Sequence, residues 1–66
     1  MKLKINGKEQ IIETVRSLAE LAESKKLNFD HIVMELNLEI IPKDQWDNVI
    51  LQENDIVEII SFVGGG

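Results

Sequence analysis

The stretch Ile56-Val57-Glu58-Ile59-Ile60-Ser61-Phe62-Val63 carries apolar side chains at both odd and even positions, then runs straight into Gly64-Gly65-Gly66. Successive side chains of a strand point to opposite faces, so this pattern predicts a β-strand that meets apolar surroundings on both sides. Such a strand belongs in the middle of a sheet, and the rest of the chain has to supply its neighbours. The glycines that follow have no Cβ and can thread a narrow channel. Three extended residues reach at most about 10 Å, enough to carry a terminal carboxylate clear of a domain. Glycines at a chain end also suit simple fraying. The abrupt passage from strand to glycine, with no polar linker, favours a tether. We therefore expect a folded domain over residues 1–63 and a flexible tail over residues 64–66.

Sixty-six residues make one small domain, and a chain of that size buries only about 60% of its unfolded surface. There is no cysteine, so neither a disulfide nor a thiolate metal site supplements the core. The net charge of −5 argues against nucleic acid, which is bound through clustered Lys and Arg. It suits solubility, or docking on a basic partner. No signal-peptide pattern and no apolar run of membrane-spanning length occurs, and the expected location is cytoplasmic.

Met1 to Ile5 alternates apolar and charged residues, which predicts a half-buried strand. Asn6-Gly7 is the strongest short-range signal for a two-residue type I′ hairpin turn, with Lys8 to Glu13 as the returning strand. Thr14 is then a candidate N-cap. Val15, Leu18, Ala19 and Ala22, with Leu21 beside them, form the apolar stripe of a helix. Lys25 and Lys26 fall in its last turn, and Asn28 suits the left-handed residue that closes it. Residues 31–37 alternate again, with Ile32, Met34 and Leu36 on one face. A turn at Asn37-Leu38 leads to a short strand, Glu39 to Ile41, stopped by Pro42. Residues 43–48 read as an irregular or single-turn connection in which Trp46 covers the edge of the core. A brief strand at residues 49–51 and a polar turn through Asn54 then feed the last strand.

Hairpin, helix, two short strands and a final strand make an α+β chain whose helix packs on one face of the sheet. The first and last strands are the natural central pair and run parallel, because the route between them crosses over through the helix. This is the β-grasp, or ubiquitin-like, architecture: a mixed sheet of four or five strands on one helix. In the last strand, Val57 and Ile59 should face the helix, which turns Ile56, Ile60 and Phe62 outward. One helix covers one face, so these three should form an exposed apolar patch of the kind that binds partners.

Catalytic constellations are nearly absent. His31 is the only histidine and falls opposite the proposed core. Ser17, Ser24 and Ser61 have no histidine–carboxylate pairing that spacing supports. Asp44 and Asp47 near Trp46 read as solvated loop acids. The triglycine lacks the Lys-Ser/Thr and the helix of a phosphate loop. No metal and no bound cofactor are expected. The one reactive group with a distinctive setting is the α-carboxylate expected on Gly66, and a partner would have to activate it.

Glu35-Leu36-Asn37, Glu39-Ile40-Ile41-Pro42-Lys43, Trp46 and the run from Glu53 to Gly66 resemble the ThiS sulfur carriers of thiamine biosynthesis, and the likeness extends over the whole length. The resemblance implies that Gly66 is the site of chemistry and that Gly64 and Gly65 are its tether. A ThiF-like enzyme, related to the ubiquitin-activating enzymes, would spend ATP to adenylate Gly66. Sulfur from a persulfide donor would make a thiocarboxylate, which a ThiG-like thiazole synthase would use to build a thiazole. The chain would thus be a carrier and not an enzyme, with no nucleic acid or membrane partner. A MoaD-like carrier for molybdopterin synthesis shares the fold and the tail, and an inert ubiquitin-like interaction module is the reading from another class. Two turns depart from the family pattern. Leu38 stands where a glycine is usual, which predicts a wider or differently built turn because leucine at positive φ is costly, and Asn54 stands where a glycine is usual in the last turn. The helix also reads as about one turn longer than usual.

Overall fold

The computed structural model describes residues 1–62. Among these residues five strands form one mixed sheet, β1 (Lys2–Ile5), β2 (Lys8–Ile11), β3 (Ile32–Leu36), β4 (Glu39–Ile41) and β5 (Ile56–Ser61), with one α-helix, α1 (Leu18–Ser24). Their spatial order is β2-β1-β5-β3-β4. β5 is thus the central strand, parallel to β1 and antiparallel to β3. The expected β-grasp arrangement is present.

The β1–β2 hairpin closes as its sequence predicts. Asn6 and Gly7 both take positive φ, +50° and +82°, and Ile5 pairs with Lys8. The β3–β4 hairpin does not follow expectation. Leu36 pairs with Glu39, leaving Asn37 and Leu38 as a tight two-residue turn with φ of +51° and +75°. The turn is thus neither wider nor rebuilt to spare Leu38, which occupies the left-handed region in place of glycine. Asn37 supplies the compensation. Its backbone N–H donates to Ile56 O at 2.7 Å and its Oδ1 accepts from Ile56 N at 2.9 Å, bonds that a wider turn would misplace.

The helix begins later than Thr14. Ser17 is the N-cap, its hydroxyl accepting from the backbone N–H of Glu20 at 3.1 Å. Ser17 is itself extended (φ −124°, ψ 167°), and a neighbouring segment holds it on both sides: Leu18 N–H donates to Val49 O and Leu51 N–H to Arg16 O, at 3.1 and 2.8 Å. These contacts also reduce the brief strand expected at residues 49–51 to one bridge, Ser17 with Ile50. The helix spans seven residues, shorter than the run from Thr14 to Asn28 that the sequence predicts. Lys26, at φ +59°, and not Asn28, takes the left-handed position after it. Asn28 instead caps a 3₁₀ turn, Phe29–His31.

Leu18, Ala19, Leu21 and Ala22 of α1 pack on Leu3 and Ile5 of β1, Ile32 and Met34 of β3, and Val57 of β5. Trp46 is more than an edge cover. It is buried in this core, edge-on to Phe29 with ring centroids 5.3 Å apart, and its Nε1 donates to Ile41 O at 2.8 Å. That bond satisfies the indole N–H and lets the largest side chain be buried at little polar cost.

Candidate functional site

The predicted chemistry lies on Gly64, Gly65 and Gly66, which fall outside the described residues. What the structure shows is the strand that leads to them. β5 is held along both edges by backbone pairing and by two turn asparagines. Asn37 grips its start through Ile56, and its Nδ2 donates to Asp55 Oδ1 at 3.1 Å. Asn6 acts further along. Its Oδ1 accepts from Ile59 N at 2.7 Å and its Nδ2 donates to Ile59 O at 3.3 Å. Because β1 pairs with β5 only through Ile56 and Val57, the Asn6 side chain satisfies backbone groups on β5 that the end of β1 leaves behind. On the other edge Phe62 N–H donates to His31 O at 3.1 Å, so pairing persists to the last described residue. Both asparagines read from the sequence as turn formers only. Their grip on β5 depends on the order of the strands.

The register of β5 is as predicted. Val57 is fully buried and Ile59 half-buried against the core, whereas Ile56, Ile60 and Phe62 are 41%, 46% and 61% exposed. Pairing places Val33 beside Ile60, Glu35 beside Glu58, and Ile40 beside Glu35 on this outer face. Ile40 is itself 67% exposed. The patch is thus broader than the three side chains expected, and two carboxylates sit side by side within it. Like charges opposite each other on a sheet repel, and neither takes part in an ion pair among the described residues.

Elsewhere the electrostatics are those of an ordinary surface. Lys43 hydrogen-bonds and pairs with Asp30, which holds that carboxyl below its usual range. Among the described residues no group of three or more His, Asp or Glu side chains is placed to hold a metal. No helix among them is long and apolar enough to cross a membrane.

The family model described as the ThiS family matches residues 3–66, nearly the whole chain and including the glycines. The chain belongs to the ThiS family. The Bacillus subtilis protein named Sulfur carrier protein ThiS is 35% identical over 65 residues, covering 97% of this chain and 98% of that protein. A thiazole synthase of Paramagnetospirillum magneticum is 35% identical over 66 residues, and here the chain spans only 20% of the relative's length. Among solved structures, the crystal structure of the thiamine biosynthesis protein ThiS from Geobacter metallireducens superposes with a TM-score of 0.83 at 30% identity, with each chain covered completely. ThiS-family membership and the β-grasp fold thus rest on independent comparisons of sequence and structure.

Proposed function

We propose that this ThiS-family chain is a cytoplasmic sulfur carrier for thiazole formation in thiamine biosynthesis, with the α-carboxylate of Gly66 as the carrying group. The observation that supports it most is the family match, which runs through Gly66 and includes the whole of the central strand paired on both edges. In the reaction a Gly66 carboxylate oxygen attacks the α-phosphorus of ATP, and pyrophosphate leaves. A persulfide sulfur then attacks the acyl carbon and displaces AMP. A second thiol then attacks the donor's sulfur in the resulting acyl disulfide and forms a disulfide with the donor, and the thiocarboxylate leaves. Adenylation is the work of a ThiF-like enzyme, and the thiocarboxylate serves a ThiG-like thiazole synthase, so this chain is a co-substrate and not a catalyst. Thiazole synthases from two organisms match the entire chain over about a fifth of their own length, which favours the thiazole pathway.

The chain's part in this is to present and to dock. Asn6, Asn37 and the two flanking strands fix the direction of β5, and Gly64 and Gly65 let the end enter a channel too narrow for side chains. The outer face around Ile56, Ile60 and Phe62 is the docking surface for the activating enzyme. To test the reading, the protein is incubated with a ThiF-like adenylyltransferase, ATP and a persulfide donor, and its intact mass is measured. Exchange of one oxygen for sulfur at Gly66 is the expected result. An unchanged mass with an enzyme that modifies another ThiS protein contradicts it.

A further inference from the structure

Toward the C-terminal end of β5, the helix side of the sheet opens into a groove of about 380 Å³. Its walls include Ile59 of β5 and Leu27, both half-buried, with Lys8 of β2 on one bank and Lys25, just past α1, on the other. Gln10 of β2 also lines it, and Lys25 Nζ donates to Gln10 Oε1 at 3.4 Å across the gap. Acidic residues outnumber basic ones twelve to seven in this chain. Yet both charged side chains lining the groove are lysines. On the outer face Glu58 of this strand lies beside Glu35 of β3, and Lys4 of β1 lies beside Ile56.

We propose that this groove is a second docking site, which takes an extended segment of the thiazole synthase combining an apolar side chain with a carboxylate. The proposal rests on the carrier reading above. The half-buried Ile59 and Leu27 call for an apolar side chain, and the two ammonium groups call for an anion beside it. The groove also reaches Ser61 at the C-terminal end of β5. The synthase is the favoured occupant because its relatives carry a matching domain within the same polypeptide. Complementary charge at such a rim acts mainly on the rate of encounter and on specificity, so salt should weaken the contact.

The test is titration of thiazole synthase into the wild-type protein and into the double variant K8E/K25E, with the rate of adenylation by a ThiF-like enzyme followed in parallel. The double variant is expected to bind the synthase roughly tenfold or more weakly, and less steeply with salt, while being adenylated at the wild-type rate. Backbone amide shifts on binding should include Lys8, Gln10, Lys25 and Leu27. Wild-type affinity in the double variant overturns the groove and leaves the carrier reading standing. Equal losses in synthase binding and in adenylation overturn the choice of occupant. A synthase that does not bind the wild-type protein at all contradicts the thiazole reading, and the groove proposal falls with it.

Discussion

On one face of β5, Val57 has no exposed surface and Ile59 packs half-buried on the core, while on the other face Ile56, Ile60 and Phe62 stand open to solvent. The residue types are the same and their surroundings are opposite. The reason is geometric. A helix of seven residues is only about 10 Å long, and it lies on one side of a five-stranded sheet. Burial on that side accounts for the stability of the fold. The apolar content of the other side adds little to stability and carries some risk of association, so its use lies in contact with another protein.

The largest expected effect follows from the inner face. Val57→Ala should lower stability by about 2–3 kcal/mol, from two lost methyl groups and the cavity they leave, read as the midpoint of urea denaturation. Ile59→Ala, at a position only half-covered, should cost less. Next comes Leu38, which is 85% exposed and held at φ +75°. Leu38→Gly relieves left-handed strain but adds freedom to the unfolded chain, and should stabilise by roughly 0.5–1 kcal/mol. A loss of stability instead would mean that the leucine side chain packs against the domain. The smallest effect on folding belongs to the outer face: Phe62→Ala should change stability by no more than about 0.5 kcal/mol. The same variant should weaken binding to the adenylyltransferase by about tenfold, as loss of an aromatic anchor does. If Phe62→Ala unfolds the protein as readily as Val57→Ala, or leaves binding untouched, the two faces do not divide the labour in this way.

Much of this division was legible in the sequence, because alternation along β5 and the Asn6-Gly7 turn are local signals that the fold obeys. Features set by distant segments were not legible. Thr14 and Ser17 are both reasonable caps by residue type. Ser17 wins because the segment at Val49 to Leu51 bonds to Arg16 and Leu18 and holds Ser17 extended, so the helix starts only after it. Leu38 was misread for a similar reason: the pairing of β3 with β4, and the bonds from Asn37 to Ile56, outweigh the cost of leucine at positive φ. Ile59 was rightly placed inward, but α1 ends at Ser24 and the groove opens beside it, so its burial is incomplete. The groove itself joins Lys8 to Lys25, residues that no local pattern connects.

The central claim is that a rigid strand delivers a glycine end to another protein's active site, and the tail tests it most directly. A chain lacking Gly66 places its carboxylate about 3.5 Å short. Gly65→Val keeps the length but adds a branched side chain where a channel wall should lie. Misplacement on the scale of 1 Å can slow a reaction about 100-fold. Both variants, and the wild type, are given the adenylyltransferase, ATP and a sulfur donor. Intact mass and melting temperature are then measured for each. The account predicts that all three melt together and that only the wild type exchanges oxygen for sulfur. Thiocarboxylation of either variant at the wild-type rate would contradict it.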